Sequence, residues 1–375
     1  MGDAISRAVL EREEVVRYLR GGHGEDPDAA RARVDKYLAE LHTTQRYPLY
    51  RALKHPVYPL LRKIRRHVEH VERAVAAAAA GRVFWASNHK SHADYLIEPI
   101  VLDDAGIRPP VIAAGINLFG GPLGLLHRHV TGAVPIRRNT KDPAYLITLK
   151  AYIAELLRRH DILFYPEGGR SYSGELKPPK TGLIHAAMQA EVENLVILPL
   201  AISYDLVLED RILSRQGVKR RQRSFSGELA EMVRDAVGYR SRAFITFGPP
   251  IPTAGLDPQS RRDMLDLAHS VLDSIGRLYK VTPTALVAST MRPRTERGEL
   301  VARAEELVAR LREAGANLAV ESGRQAVDEG VAALEGRGVV AVDGDRVRVR
   351  NRILLRYYSR TIDHLVNPRR VVTRS

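Results

Sequence analysis

Apolar positions recur every three or four residues in AISRAVLEREEVVRYLR (4–20) and ARARVDKYLAELH (30–42), which predicts helices over residues 1 to about 75. From about Arg82 to Tyr279 the pattern changes. Short apolar runs, VFWAS (83–87), PVIAAG (110–115), AVPI (133–136), ILFY (162–165), VILPLAISY (196–204) and AFITF (243–247), alternate with helical stretches at 142–159 and 257–279. That alternation predicts an α/β class: a mixed central sheet with flanking helices. Beyond Thr282 the period returns to helical in 299–315 and 322–338. A hairpin follows, VVAVDGDRVRVR, with Asp343-Gly344 at its turn, and the amphipathic ILLRYYSRTIDHLV comes last. The expected regions are an N-terminal helical region (1–75), a central α/β domain (76–281) and a C-terminal helical extension with a hairpin (282–375).

Composition narrows the chemistry. Lys and Arg number 58 against 44 Asp and Glu, a formal charge of +14, which favours anionic partners: nucleic acid, an acidic membrane face, or phosphorylated substrates. With no cysteine there is no disulfide framework, thiolate metal site or thiol nucleophile. The first 22 residues carry charge throughout, unlike a signal peptide. No run approaches the roughly 20 apolar residues of a membrane span, so any membrane role is peripheral. The stretch Arg46–Arg66 holds seven basic residues, three tyrosines and no acid. It reads either as an interfacial helix on anionic lipid or as a helix packed on the central domain with a solvated basic face.

Three constellations could carry chemistry. In NHKSHADYL (88–96), His89 lies at a predicted strand-to-helix turn where the chain can double back and bring Asp94 to the imidazole. His89 would then be a general base, with Asp94 fixing its tautomer. The same residues also read as a capping box, with Asp94 starting a helix and His89 a bystander. A metal site from His89, His92 and Asp94 would need further ligands, and no second cluster stands out. In GAVPIRRN (132–139), Arg137 and Arg138 reach the end of a strand, pointing to opposite sides, so at most one enters a site. In ILFYPEGGRSYSG (162–174), Glu167, Gly168, Gly169, Arg170 and Ser171 follow a strand, with Lys180 just downstream. Two glycines there let backbone N–H groups approach an anion; the plain alternative is a tight turn with solvated charges.

NHKSHADYL, GAVPIRR, FYPEGGRSYSG and VILPLAISYD stand in the order and approximate spacing of the four motif blocks of the glycerolipid acyltransferase superfamily, which the chain resembles from about residue 80 onward. The first 75 residues match nothing in that pattern. The EGGRS form of the third block resembles enzymes that acylate glycerol phosphate, whereas those acting on lysophosphatidate more often show EGTRS. Pro135 replaces a usual aromatic, Tyr172 a usual basic residue, and LFGGPLG (118–124) a bulkier stretch. The resemblance implies a glycerol-3-phosphate acyltransferase-like fold and transfer of a long-chain acyl group from acyl-CoA or acyl-ACP to the sn-1 hydroxyl of glycerol 3-phosphate. His89 and Asp94 would be catalytic. Arg137, Arg138, Glu167, Gly168, Gly169, Arg170, Ser171 and Lys180 would bind substrate, with no metal or other cofactor. The implied place is the cytoplasmic face of an anionic membrane, held peripherally. Dihydroxyacetone phosphate and lysophosphatidate are alternative acceptors, and Ser91 an alternative, acylated nucleophile. A basic nucleic-acid-binding protein and a metal-dependent phosphohydrolase are rival classes; no nucleic-acid motif is present, and no nucleic-acid partner is expected.

Overall fold

A computed structural model of the chain describes residues 2–21, 24, 26–52, 64–119, 121–213 and 241–368. Its centre is a mixed sheet of β1 (Ile64–Glu69), β2 (Val83–Ser87), β3 (Val111–Gly115), β4 (Ala133–Ile136), β5 (Ile162–Phe164), β6 (Val196–Tyr204), β7 (Ser241–Phe247) and β8 (Ile251–Pro252). The spatial order is β1-β7-β6-β2-β5-β3-β4, with β8 on β6. Strands β6, β2, β5, β3 and β4 run parallel, and β7 and β8 pair antiparallel with β6. The central strand β2 reads Val-Phe-Trp-Ala-Ser and is buried on both faces, as a parallel strand covered by two helical layers must be.

Helices Pro143–Leu157, Gly182–Met188 and Arg261–Leu278 pack one face with Phe84, Phe164 and Ile197. Trp85, Leu163, Leu198 and Ile202 meet helix Asp94–Asp104 and the C-terminal elements on the other. Asp142 caps helix Pro143–Leu157 by accepting from the Ala144 and Tyr145 amides, at 3.0 and 3.4 Å.

Helices Gly2–Glu11, Glu13–Leu19 and Pro27–Leu41 lie against Pro143–Leu157. Residues 64–69 differ from the helical reading of this region, since they form an edge strand parallel to β7. Their period of two was hidden because the strand is short, basic and covered on neither face continuously; Val68 is 40% exposed. A single interfacial helix from Arg46 to Arg66 is thereby ruled out, because its last residues belong to β1. Residues 47–52 are helical, and 53–63 lie outside the described residues.

The C-terminal hairpin pairs Val340–Asp343 with Arg346–Val349. This extension is tied to the segment after β6 by Arg337, whose Nε donates to Asp210 at 3.0 Å, and by Tyr358, which donates to the same carboxylate.

Candidate active site

The parallel strands end on one side of the sheet, where ligand sites of α/β folds form. At the end of β2, Asn88 bridges to β6: its amide donates to the Ile202 carbonyl (2.9 Å) and accepts the Ile202 N–H (2.7 Å). That clasp fixes the turn carrying His89.

His89 Nδ1 lies 2.9 Å from Asp94 Oδ2. The same oxygen accepts the Lys90 and Ser91 amides at 2.7 and 2.9 Å, and Oδ1 accepts the Tyr204 hydroxyl at 2.7 Å. Asp94 is also the first residue of its helix. One carboxylate therefore closes the turn and holds the imidazole, so Asp94 starts its helix as the capping reading expects, but His89 is not a bystander. Because the carboxylate accepts, Nδ1 carries the proton and Nε2 keeps its lone pair.

Burial pushes His89 well below the ordinary imidazole value, helped by Arg170, Arg138, Lys177 and Lys90. Burial raises Asp94 to about 6, against the opposing hydrogen bonds from Ser91, Tyr204 and Lys90. Behind them Glu98 is raised well above the carboxylate range, by burial and by Asp94's charge. It is hydrogen-bonded to the hydroxyls of Ser87 and Tyr165, and the Tyr165 ring stacks on His89 with centroids 4.2 Å apart. Of two buried acids one helical turn apart, Asp94 faces four donors and Glu98 two hydroxyls. Glu98, with fewer donors, is therefore the more strongly raised of the two.

His89 opens onto a cavity of about 270 Å³ between the ends of β3, β4 and β5. Strands β3 and β5 pair only through Val111–Ile162 and Ile112–Leu163 and then diverge, and the cavity lies in that gap. Ala113, Ala114 and Gly115 give β3 a low wall, while Leu118, Ile136, Leu146, Leu149, Phe164 and Leu183 make the rest largely apolar. Arg138, Gly168, Gly169 and Lys180 line the same space.

Among the described residues, Arg138 has no ion pair. Its guanidinium fits against Gly115 and Gly169: a Cβ on either would stand 2.8 or 3.1 Å from its nitrogens. Gly168 takes φ +69°, and the Lys180 side chain runs across it. These two cations, one imidazole and an apolar wall can hold an anion beside a base while burying a hydrocarbon chain.

Of the other sequence candidates, Arg137 also lines the cavity but is bonded elsewhere, and the rest stand behind this surface. Arg137 donates through Nε to Glu40 at 2.6 Å, lies over the Tyr37 and Tyr145 rings, and so is spent on the N-terminal helix. Glu167 is buried and accepts the His89 and Lys177 amides at 3.3 and 3.0 Å rather than holding an arginine. Ser171 donates its amide to the His89 carbonyl (3.0 Å) and its hydroxyl to the Glu175 carbonyl (2.6 Å). Arg170 is buried, 3.4 Å from Glu209, and does not line the cavity. Ser91 donates its hydroxyl to Glu209 at 2.7 Å, a structural bond.

Sequence reasoning missed Lys90, Lys177, Glu98 and Glu209. Lys177 Nζ donates to the Arg170 carbonyl at 3.0 Å, and Lys90 Nζ to the Gly174 carbonyl at 2.7 Å. Burial lowers Lys90 to about 8. The basic neighbours in NHK and KPPK were the only signal for the lysines; Glu209 gave none. Among the described residues, no group of three or more His, Asp or Glu could hold a metal ion.

The acyltransferase family profile matches residues 63–203, and that of the glycerol-3-phosphate acyltransferase C-terminal region matches 229–372. The chain thus carries an acyltransferase domain followed by a glycerol-3-phosphate acyltransferase C-terminal region. A glycerol-3-phosphate acyltransferase of Alteromonas mediterranea is 31% identical over 66% of this chain and 31% of its own length. A putative acyltransferase, plsB1, of Mycobacterium tuberculosis is 29% identical over 74% of this chain and 47% of its own. The chain thus spans a third to a half of the curated relatives it matches. A solved 1-acyl-sn-glycerophosphate acyltransferase of Thermotoga maritima overlaps 72% of this chain and 92% of its own at 13% identity, with a TM-score of 0.36.

Proposed function

We propose that this chain transfers a long-chain acyl group from a thioester, acyl-CoA or acyl-ACP, to the sn-1 hydroxyl of glycerol 3-phosphate, giving lysophosphatidate. The observation that carries the reading is His89, paired with Asp94 at 2.9 Å, on the wall of an apolar cavity shared with Arg138, which has no ion pair among the described residues. Names of the relatives support the reaction class and the acceptor.

The acceptor phosphate sits on Arg138 and Lys180, which places its free hydroxyl beside Nε2. His89 takes the hydroxyl proton as the oxygen attacks the thioester carbon, and Asp94 stabilises the imidazolium that forms. The tetrahedral intermediate then collapses with cleavage of the C–S bond, and the imidazolium returns its proton to the departing thiolate. Thiols ionise near ~8.5, so the leaving group needs little help and the chemistry concentrates on the alcohol. The apolar gap between β3 and β5 takes the acyl chain.

The membrane part of the reading rests on residues 46–52, where Tyr47, Leu49, Tyr50 and Arg51 form a partly exposed turn of helix, and on the insoluble product. Among the described residues no helix is long and apolar enough to cross a membrane.

Acceptor identity is tested by offering a labelled palmitoyl thioester with glycerol 3-phosphate, dihydroxyacetone phosphate, lysophosphatidate or glycerol in turn. Preferred product formation from glycerol 3-phosphate is expected. Turnover with lysophosphatidate alone would overturn the acceptor, and equal turnover of glycerol would overturn the phosphate clamp.

A further inference from the structure

The strands that end at the candidate active site begin at a second cavity, of about 410 Å³, on the opposite edge of the sheet. Arg82 leads into β2, Arg108 into β3, and Arg159, His160 and Asp161 into β5, and all five line it. Three guanidiniums and an imidazole thus face one carboxylate.

That carboxylate is already committed. Asp161 accepts from Arg82 Nη1 at 2.9 Å, from the Val83 amide at 3.3 Å and from the Trp85 indole at 3.3 Å. Arg108 donates to the neutral side chain of Gln45 at 3.0 Å, and among the described residues neither Arg108 nor Arg159 has an ion pair. Burial, then Arg108, Arg82 and Arg159, push His160 down to about 4, so it is neutral and offers both a donor and an acceptor. Helices Val71–Ala80, Asp94–Asp104 and Pro143–Leu157 end near this rim. Their terminal carbonyls contribute about −0.5 charge each, which offsets the two unpaired guanidiniums without cancelling them. A concave site with surplus, forked donors matches phosphate oxygens.

We propose that this second cavity binds a phosphate monoester through Arg108, Arg159 and His160. The group comes either from a small soluble ligand or from a lipid headgroup, since Gln45 at the rim adjoins the helical residues 47–52. Nothing in the acyl-transfer reading requires this site, so the two stand or fall separately.

The test uses Arg138→Gln/Lys180→Gln protein, which removes both active-site cations, titrated calorimetrically with inorganic phosphate. A parallel arm measures binding to phosphatidylcholine vesicles with and without phosphatidate. Saturable phosphate binding that weakens ~10-fold or more when Arg108→Ala and Arg159→Ala are added supports a soluble ligand. Binding to phosphatidate vesicles alone, lost in the same variant, supports the headgroup. Both arginines are exposed, so the variant should fold with an unchanged melting temperature, and Arg159→Glu gives a second check by charge reversal. Binding unaffected by these substitutions, or no binding in either arm, overturns the proposal.

Discussion

Gly115, the last residue of β3, lies under the guanidinium of Arg138, so closely that a Cβ there would stand 2.8 Å from Nη2 and 2.6 Å from Asn117 Oδ1. The glycine clears the space in which the free cation lies, and the end of a flexible side chain can move aside at small cost. Gly115→Ala should therefore displace the side-chain ends of Arg138 and Asn117 while leaving the melting temperature nearly unchanged. The expected readout is a raised KM for glycerol 3-phosphate with kcat within a few-fold, in steady-state kinetics. Unchanged KM would show that Arg138 is not held there for the acceptor.

Removing the guanidinium itself should cost more. Hydrogen bonds to charged groups contribute about 1.5–3 kcal/mol, so Arg138→Ala should raise that KM ~10- to 100-fold. Arg138→Lys should recover part of the loss by supplying charge without the fork. Arg137→Ala, which removes a guanidinium bonded to Glu40, should alter KM far less.

Asp94 and Glu98 are one helical turn apart and both buried, yet Asp94 faces four donors and is raised to about 6, whereas Glu98 faces two hydroxyls and is raised further. Asp94→Asn removes the acceptor that fixes His89's tautomer and should lower kcat by ~100-fold or more. Glu98→Gln keeps the side chain's shape and its hydrogen bonds with Ser87 and Tyr165 and should cost only a few-fold. A large loss in Glu98→Gln with intact thermal stability would reverse the two assignments.

The pH profile follows from the same pair. His89 is depressed, so it is already the free base at neutral pH, and the coupled His89–Asp94 unit takes up its proton near the value of about 6 to which Asp94 is raised. On acidification kcat/KM should hold until near pH 6 and then fall with the slope of one proton. A limb above the ordinary imidazole value of about 6.5 would contradict the depressed His89.

Much of the sheet was legible because its strands are continuous apolar runs: 83–87 and 196–204 coincide with β2 and β6. Strand β1 was not, since an edge strand with Val68 exposed lacks the alternation that marks a covered one. Within the site, the contact between His89 and Asp94 could be read from a local turn. Arg170 could not, because its partner Glu209 lies 39 residues away in sequence and only the fold unites them. The difference between Arg137 and Arg138 followed from strand alternation, but Glu40, which binds the outward one, lies 97 residues upstream.

Glu167 joins two chain segments through backbone amides, so its removal should act on stability before chemistry. Glu167→Ala would leave the buried His89 amide and the partly buried Lys177 amide without their acceptor, at about 1–3 kcal/mol. Denaturant unfolding should show that loss, and Glu167→Gln should restore part of it.

The most direct measurement is single-turnover acyl transfer from a labelled thioester to glycerol 3-phosphate by wild-type and His89→Ala protein of equal thermal stability. The wild type should form labelled lysophosphatidate, and the variant should be slower by roughly 100- to 10,000-fold, the range for loss of a general base. Equal rates in the two proteins would contradict a mechanism centred on that imidazole.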